Sequence, residues 1–324
     1  MRRRILVGAC AAAPLASLLP AGAAQPAYPA KPVRFIVGFP PGGTTDVLAR
    51  IVAAGLGERL GQQFIVDNRA GASGMIGTDA VAKAPADGYT LLFSSSTLAT
   101  YRALYPKVPF EPATDLLPIG MVAPTPYVLV VHPKLPVHTL AELVAYAKAH
   151  PGQIDYAASA PGGGQHLAWE MLKRNTRTDM VYVPYKGTGA LMPDLLGGTL
   201  QAGIDNVAVL APHIRSGALR AIAVTGATRS PLLPDVPTAV ESGQPDFKVI
   251  GWFAVFAPAR TPAAVAARLT EALAAVLQRK DVRDRMVELG AEPDSGGPDA
   301  LRRLLAAETR QWGGLIRDAG IVAQ

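Results

Sequence analysis

The chain has almost no cysteine and few aromatic or charged residues. Its 324 residues include one Cys, at position 10, and aromatic residues make up 6% and charged residues 17% of the total. A single Cys excludes a disulfide framework and any zinc or iron–sulfur site built from cysteines. Because 49% of the residues are hydrophobic, the chain is neither a disordered tail nor a charge-rich rod. Abundant Gly (32) and Pro (29) favour an α/β protein with many tight turns.

The N-terminus has the pattern of an export signal. Three arginines at 2–4 precede an apolar stretch at 5–19, and the small residues of an Ala-x-Ala cleavage site follow at 21–23. This pattern predicts a signal peptide over residues 1–23 and an exported, soluble mature protein. Its removal leaves 28 basic against 25 acidic residues, a net charge of +3 instead of +6, which gives no support for a nucleic-acid partner. A lipoprotein signal at Cys10 is disfavoured because too little apolar sequence precedes it.

Strand and helix patterns alternate along the rest of the chain. Residues 33–37 have the pattern of a buried strand, and the polar run 44–46 begins an amphipathic helix. Such alternation is typical of βαβ units and a mostly parallel sheet. The further predicted strands are 64–66, 89–93, 127–131, 155–158, 180–183, 202–204, 219–225 and 249–257.

Two segments, 122–131 and 248–258, are candidate crossovers between two lobes. With both as crossovers, the first lobe is discontinuous and consists of residues 28–128 and 252–324. The second lobe, residues 129–251, is inserted between them. Two α/β lobes joined by two crossing strands leave a cleft, and such clefts are where ligands bind.

Two distant segments share a strand, a Pro-Gly-Gly turn, a polar residue and a helix. They are residues 35–46 and 154–166. Glycines let backbone N–H groups approach a ligand, and the first N–H groups of a helix lack intrahelical partners at the positive end of its dipole. Each turn is therefore a candidate anion site, and one turn on each lobe would hold the two ends of a small dicarboxylate. The alternative, that both are ordinary turns between a strand and a helix, stays open. Neither turn has the motif of a nucleotide-binding loop, which disfavours nucleotide binding.

Further polar residues are predicted at the same cleft. The run 94–97, which includes Ser95 and Thr97, follows one strand, and Asp205 and Asn206 follow another. The hydroxyls of the first run would lie at the edge of the sheet or cap the next helix. Asp205 and Asn206 would accept a hydrogen bond from a ligand ammonium or hydroxyl, or form a turn. Lys186 would bring a cation to the site or be solvated.

The histidines lack catalytic or metal-ligand spacing. The five His residues show no His-Glu-x-x-His pattern, and no Gly-x-Ser-x-Gly elbow occurs. We therefore expect neither a metal nor a cofactor. Ser159, His166 and Asp205 could form a catalytic set, but a chain of this length contains such a set by chance. An enzyme is unsupported by these residues.

Ordered motifs extend over nearly all of the chain that follows the predicted signal. They include Tyr28-Pro-x-Lys-Pro-Val-Arg-x-Ile-Val-x-Phe-Pro-Pro-Gly-Gly-x-x-Asp46, Val66-Asp-Asn-Arg-x-Gly-Ala-x-Gly74, Ala86-Asp-Gly-Tyr-Thr90, Val183-Pro-Tyr-Lys-Gly187 and Leu233-Pro-Asp-Val-Pro-Thr238. In these motifs the chain resembles the Bug family of extracytoplasmic solute receptors. Those proteins are the periplasmic binding proteins of tripartite tricarboxylate transporters.

The resemblance implies a two-lobed α/β periplasmic-binding-protein fold, a type II-like Venus flytrap with the ligand cleft between the lobes. It also implies a small carboxylated solute: a di- or tricarboxylate, an amino acid or an aromatic acid. In the family, backbone and hydroxyl groups at the first glycine turn hold the ligand carboxylate. Carried over to this chain, the ligand-binding residues are Phe39, Pro41, Gly43, Thr44, Thr45 and Asp46 at the first turn, Ser95 and Thr97 on the wall, and Ser159, Gly163, Gly164, His166, Asp205 and Asn206 across the cleft.

The chain departs from the family pattern at Gly203 and in the turn 161–164. Both departures fall on the second lobe and leave the far end of the ligand undefined. We expect a monomeric, non-enzymatic periplasmic receptor that delivers a small carboxylate to the permease of a tripartite tricarboxylate transporter. A receptor for a histidine-kinase sensor would use the same cleft and is the alternative. The third hypothesis is an exported hydrolase or isomerase.

Overall fold

The computed structural model describes residues 28–158, 161–185, 187–294 and 296–321. The predicted signal peptide at 1–23, Ser159 and Lys186 lie outside these residues. Within the described ranges, no helix combines the length and the apolar character that crossing a membrane requires.

Strands and helices alternate through most of the described chain. The strands are β1 (Val33–Val37), β2 (Phe64–Asn68), β3 (Thr90–Ser95), β4 (Leu116–Val131), β5 (Asp155–Ala158), β6 (Val181–Pro184), β7 (Ala202–Asn206), β8 (Arg220–Val224) and β9 (Ile250–Pro258). The helices are α1 (Thr44–Leu60), α2 (Met75–Ala82), α3 (Tyr101–Leu104), α4 (Pro112–Asp115), α5 (Leu140–Ala149), α6 (Gly164–Thr176), α7 (Thr188–Gly197), α8 (Val207–Arg215), α9 (Ala263–Gln278), α10 (Lys280–Glu288) and α11 (Pro298–Asp318). Short 3-10 helices occupy Ala72–Gly74 and Ser96–Ala99.

The strands form one sheet with two halves. In the first half, which we call the first lobe, β1 lies parallel to β2 and β3, and β9 is antiparallel to β3. In the second half, the second lobe, β5 lies parallel to β6 and β7. β4 belongs to both halves, because residues 116–126 pair with β9 whereas residues 127–131 pair with β7 and β8.

The strand register brings the carboxyl ends of the parallel strands of both lobes to one junction. Ser95 ends β3 and pairs with Phe253, near the start of β9. Asn206 ends β7 and pairs with Tyr127, at the point where β4 leaves the first lobe. The loops that follow these parallel strands therefore face the region between the lobes, where ligands of such sheets bind.

The hydrophobic cores consist of apolar strand residues packed against the apolar faces of amphipathic helices. The first-lobe core packs aromatic residues of the sheet, including Phe35, Phe93 and Phe253, against α1 and α9. The helix α11 is apolar on one face, as its helical spacing predicts, and its Trp312 shares a core with Trp169 of α6. Arg174 of α6 also pairs with Asp318 of α11 at 2.9 Å. The C-terminal helix thus connects the two lobes.

Four predicted strands are longer in the structure, and one of them is β2, which runs to Asn68 instead of ending at residue 66. The run 94–97 does not follow β3 as a whole, since Ser94 and Ser95 pair with β9 as its last residues. Asp205 and Asn206 likewise belong to β7 instead of following it. β4 begins at Leu116, ahead of the predicted 127–131, and irregular pairing near its prolines accommodates the residues that lack an N–H. In each case polar or proline residues interrupt the apolar sequence pattern, although the strand pairing continues through them.

Candidate functional site

The first glycine turn joins β1 to α1 and presents unpartnered backbone donors. Gly42 has a φ of 85°, a conformation that favours glycine, and Gly43 is the N-cap of α1 without a side chain to cap it. The first intrahelical bond runs from the N–H of Val47 to the Gly43 carbonyl at 3.0 Å. Within the described part of the chain, no hydrogen bond satisfies the N–H groups of Thr44 and Thr45. These donors lie at the positive end of the α1 dipole.

Asp46 holds this turn together from inside. Its Oδ2 accepts the N–H of Gly42 at 2.9 Å and the Nε of Arg50 at 3.0 Å, and its Oδ1 accepts Nδ2 of Asn68 at 2.9 Å. Asn68 also donates to the carbonyl of Phe39 at 3.0 Å. Burial alone would raise the pKa of Asp46, but the hydrogen bonds from Arg50, Gly42 and Asn68 outweigh it and keep the pKa below its usual value. The carboxylate is therefore ionised, neutralised by Arg50, and engaged with the turn.

Another glycine-containing segment, residues 71–77, packs against the first turn. A Cβ on Gly38 would lie 2.6 Å from the Cα of Gly74, so the two backbones touch. The ring of Phe39 also packs over Gly74. Ser73 has a positive φ of 53°, and its carbonyl accepts the hydroxyl of Tyr101 at 3.0 Å. Backbone strain of this kind is frequent at binding sites.

Ser95 and Thr97 stand beside the junction, as the sheet edge requires. Their hydroxyl oxygens are 2.9 Å apart and hydrogen-bonded to each other. Ser95 is buried at the end of β3, whereas Thr97 is half-buried in the 3-10 helix that follows. One of the two hydroxyls retains a hydrogen for a further partner.

The second glycine turn, between β5 and α6, repeats the geometry of the first. Gly162 has a φ of 65°, and Gly163 is the uncapped N-cap of α6. The Nδ1 of His166 accepts the Gly162 N–H at 2.9 Å, so the ring proton lies on Nε2. The imidazole is buried and stacks on the ring of Tyr182 at 3.8 Å between centroids.

A half-buried glutamate supports the second turn through His166. Oε1 of Glu170 lies 3.7 Å from Nε2 of His166 and 2.9 Å from Nζ of Lys173, and it also accepts the hydroxyl of Tyr156. Burial alone would raise the pKa of Glu170, but hydrogen bonds from His166, Tyr156 and Lys173 lower it to about 2. The second turn is thus fixed by a chain of side chains within its own lobe.

Asp205 and Asn206 end β7 between the N-termini of α6 and α7. The Asp205 carboxylate accepts hydrogen bonds from the hydroxyl of Thr188 and from its neighbour's N–H, the latter at 2.7 Å, and Nε2 of Gln165 lies 3.4 Å away. Burial raises the pKa of Asp205, against the lowering effect of the hydrogen bonds from Thr188, Asn206 and Gln165. Asn206 is 8% exposed, and its Oδ1 has no hydrogen-bond partner among the described residues.

Tyr127 lies where the two lobes meet. A Cβ on Gly164 would lie 2.5 Å from its hydroxyl oxygen, and a Cβ on Gly251 of β9 would lie 2.2 Å away. Burial raises the pKa of Tyr127; a hydrogen bond with Ser96 opposes this, and the nearby charges of Glu308 and Asp205 add to it. Burial also raises the pKa of Glu308 to about 7, although hydrogen bonds from Trp252 and Trp312 lower it.

The second turn touches the first lobe directly. A Cβ on Gly162 would lie 2.3 Å from both Cδ atoms of Leu104, on α3. By contrast, no atom lies within 4 Å of a Cβ built on Gly42. The structure therefore has the lobes in contact at the second turn while the first turn stays open.

The structure groups the predicted site residues at three points around the junction. Phe39, Pro41, Gly43, Thr44, Thr45 and Asp46 form the first turn, Ser95 and Thr97 the adjoining edge, and Gly163, Gly164, His166, Asp205 and Asn206 the second-lobe side. Ser159 lies outside the described residues. Each of His166 and Asp205 has its own partners, and no described hydrogen bond joins the two.

Sequence reasoning missed several residues that complete this region. They are Arg50, Asn68, Leu104, Tyr127, Gln165 and Thr188. Asn68 stands within a quoted motif, which was the available signal for it. Arg50 is one helical turn after Asp46, a spacing that predicts an ion pair. Gln165 lies within the predicted turn segment 154–166, whereas Leu104, Tyr127 and Thr188 come into place only through the tertiary fold.

A separate cavity of ≈ 150 Å³ lies elsewhere along the crossing strands. Its lining includes Pro124, Pro126 and Ile250 of the crossing strands, together with Arg229 and Glu292. It shares no residue with the predicted ligand-binding set. The first glycine turn, where the N–H groups of Thr44 and Thr45 have no described partner, remains the better candidate site.

Known proteins are similar to this chain in both sequence and fold. Residues 48–321 match the family described as "Tripartite tricarboxylate transporter family receptor". Protein BugT of Bordetella pertussis is 45% identical over 295 residues, which cover 90% of each chain. The structure of R. palustris Rpa4515 with adipate is 38% identical, has a TM-score of 0.84, and covers 92% of this chain and 100% of that one. MatC (Rpa3494) from Rhodopseudomonas palustris with bound malate is 31% identical, has a TM-score of 0.78, and covers 89% and 100%.

Proposed function

Because this chain belongs to the tripartite tricarboxylate transporter receptor family, we propose that it captures a small carboxylated solute between its lobes and delivers it to the permease of such a transporter. The predicted family and the predicted two-lobed α/β fold are confirmed. Proteins of this family are periplasmic solute-binding receptors, so the chain is a receptor and not an enzyme. The hydrolase and isomerase hypothesis is therefore wrong. The signal peptide at 1–23 stays a prediction.

One observation carries the proposal: the first turn offers free backbone donors while its own carboxylate is already engaged. The N–H groups of Thr44 and Thr45 have no described partner, and Arg50 neutralises Asp46. Gly43 is exposed and has no side chain to obstruct an approaching ligand. A ligand carboxylate would accept hydrogen bonds from these amides, with the α1 dipole favouring its negative charge.

The solved relatives support the ligand class. The structure of Rpa4515 contains adipate and that of MatC contains malate, and both ligands are carboxylates. Both relatives match the present chain over most of its length. The proposed ligand-binding residues in this chain are those of the two turns, the Ser95–Thr97 edge and the end of β7.

Closure of the lobes would couple binding to delivery. A ligand that contacts both turns stabilises the arrangement in which the lobes meet, by the difference between its affinities for the closed and open forms. The permease would then recognise the closed form. We propose lobe boundaries at 28–128 and 252–324 for the first lobe and 129–251 for the second, within two residues of the points where β4 changes its pairing partner and where β9 begins. The crossing strands β4 and β9 would act as the hinge.

The experiment uses the mature protein after unfolding and refolding, which removes any ligand carried over from expression. Titration calorimetry and thermal unfolding with di- and tricarboxylates, acidic amino acids and aromatic acids measure which of them bind. A carboxylate present at about 100 times its dissociation constant stabilises the fold by about 2.7 kcal/mol. Failure of every carboxylate to bind would contradict the proposal.

A pair of glycine variants locates the binding site. Gly43→Val places a branched side chain on the N-cap of α1, and we expect the affinity to fall at least about tenfold with the fold retained. Gly297→Val is the matched control, because Gly297 is an exposed N-cap of α11 with φ −65° and ψ 173°, close to the −79° and 166° of Gly43. Neither Cβ would have an atom closer than 3.9 Å. Equal affinities for both variants would count against the first turn.

A further inference from the structure

The exposed face of the C-terminal helix α11 carries a row of arginines, and we propose that this face docks an acidic helical segment of the permease. The row, which we call the arginine stripe, consists of Arg303, Arg310 and Arg317, with Ala307 and Gly314 between them. This inference rests on the proposed delivery of a solute to a permease, and it names the surface of the receptor that meets that partner.

Helical periodicity places the three arginines on one side of α11. They are seven residues apart, so consecutive arginines lie two turns and about 10.5 Å from each other along the helix. Arg303, Arg310 and Arg317 are all exposed, whereas Leu305 and Trp312 on the opposite face are buried. The arginine stripe therefore points away from both lobes.

No acidic side chain neutralises the arginine stripe. Among the residues that the structure describes, none forms an ion pair or a side-chain hydrogen bond with Arg303, Arg310 or Arg317. Each acidic side chain of α11 is already bound to another residue: Asp299 to Arg302, Asp318 to Arg174, and Glu308 to Trp252. The positive charge of the stripe is thus available to a partner.

The arginine stripe differs from the charge pattern elsewhere on the chain. Helix α10 is also strongly charged, but it mixes the two signs, and Lys280 pairs with Asp284 at 2.6 Å. Without the predicted signal peptide the net charge is only +3, so the three arginines equal the excess of the whole chain. The helix dipole favours a cation near the C-terminus, which accounts for Arg317 but not for Arg303 or Arg310.

The residues between the arginines favour a protein partner over a membrane. Ala307 is exposed, and no atom lies within 4 Å of a Cβ built on Gly314, so a second helix has room to approach α11. An amphipathic helix binds a membrane by inserting its apolar face, and that face of α11 is buried in the core. Carboxylates at a seven-residue spacing on a partner helix would match the guanidinium groups, which bind carboxylates with two parallel hydrogen bonds.

The position of α11 would connect docking to the arrangement of the lobes. Glu308 accepts the Nε1 hydrogen of Trp252, on β9, at 2.8 Å, and Asp318 pairs with Arg174 of the second lobe at 2.9 Å. A permease segment on the arginine stripe would therefore contact an element that both lobes hold.

The test reverses the charge of the stripe and measures transport. Arg303→Glu/Arg310→Glu is expressed in cells of the source organism that lack the gene for this chain, and uptake of the tightest-binding carboxylate of the panel is followed with a radiolabel. At equal protein levels, we expect the gene-dependent uptake to fall at least about tenfold, because the reversed charges repel an acidic partner. The dissociation constant of the purified variant for that carboxylate should stay within about twofold of wild type, since the stripe lies outside the proposed ligand-binding residues.

The matched control reverses two arginines on another helix. Arg283 and Arg285 are exposed on α10, and neither forms an ion pair with a described residue. Arg283→Glu/Arg285→Glu therefore changes the net charge by the same amount, and its uptake should stay within about twofold of wild type. Arg303→Gln/Arg310→Gln removes the charge without reversing it and should cause an intermediate loss. Thermal unfolding shows whether each variant is folded.

The outcomes separate this inference from the proposed function. Intact uptake with Arg303→Glu/Arg310→Glu, or an equal loss in the α10 control, would overturn the docking role of the stripe and leave the receptor function standing. Sedimentation of the wild type, but not of this variant, with phosphatidylglycerol vesicles would overturn it in favour of a membrane surface. If no carboxylate of the panel binds, or if uptake does not depend on the gene, the proposed function fails and this inference falls with it.

Discussion

The two glycine turns have nearly the same backbone and different surroundings. Gly43 and Gly163 are N-caps with φ of −79° and −71° and ψ of 166° in both cases. In each turn the preceding glycine donates its N–H, at 2.9 Å, to the side chain four residues later. That side chain is the carboxylate of Asp46 in the first turn and the imidazole of His166 in the second. The same backbone turn is thus held by a carboxylate in one lobe and by an imidazole in the other.

The different surroundings indicate that the two turns have different roles. The first turn is exposed, and the N–H groups of Thr44 and Thr45 have no partner among the described residues, so the turn is suited to take a ligand anion. The second turn is buried against Leu104 of the first lobe, and beside it the side chains of Thr188 and Gln165 already bond to Asp205. We therefore propose that the first turn binds the ligand anion and that the second turn makes the contact between the lobes.

Alanine at the first glycine of each Pro-Gly-Gly turn should give the largest contrast. Gly42→Ala and Gly162→Ala both place a Cβ at a positive φ, which costs about 1–2 kcal/mol. Only Gly162→Ala also collides with Leu104. We expect Gly162→Ala to weaken ligand binding at least about tenfold more than Gly42→Ala does, because it separates the lobes. Titration calorimetry of both variants with the same ligand measures this difference.

The double variant Gly162→Ala/Leu104→Ala provides the control for that contrast. Truncating Leu104 removes the colliding atoms, so the double variant should regain affinity relative to Gly162→Ala alone. Additive losses in the two single variants would show that the contact between the lobes does not matter for binding.

Replacement of Asp46, whose carboxylate holds the first turn, should have the next largest effect. Asp46→Asn replaces one acceptor oxygen by an amide that faces donors, and we expect a loss of about 1–3 kcal/mol in the free energy of unfolding. Denaturant unfolding at neutral pH measures this loss, and Asp155→Asn serves as the matched change. A loss within about 0.5 kcal/mol of that control would show that Asp46 does not hold the turn.

Low pH should remove the stabilisation that Glu170 gives to the second turn. The pKa of Glu170 is lowered from 4.5 to about 2, so the unfolded chain takes up this proton first as the pH falls. The stabilisation by Glu170 is complete above pH 4.5 and is lost as the pH falls towards 2. We therefore expect the difference in unfolding free energy between wild type and Glu170→Gln to shrink over that range. A difference independent of pH would contradict the assigned network.

The sequence predicted the backbone of the site better than its side-chain partners. Both Pro-Gly-Gly turns, the strands before them and the helices after them follow from local patterns, and so do Asp46 and His166 as helix-start residues. Leu104 and Gly162 are 58 positions apart, and Tyr127 meets Gly164 and Gly251 only because β4 and β9 cross together. Contacts of this kind depend on strand order, which no local pattern specifies. The ends of β3 and β7 were missed because polar residues continue their pairing.

The most direct measurement is a crystal structure of the refolded protein with its tightest carboxylate ligand. The account predicts a ligand carboxylate oxygen within about 3 Å of the backbone nitrogen of Thr44 or Thr45, with the second turn in contact with Leu104. A carboxylate bound at the second turn, or in the cavity beside Pro124 and Arg229, with the first turn unoccupied, would contradict it.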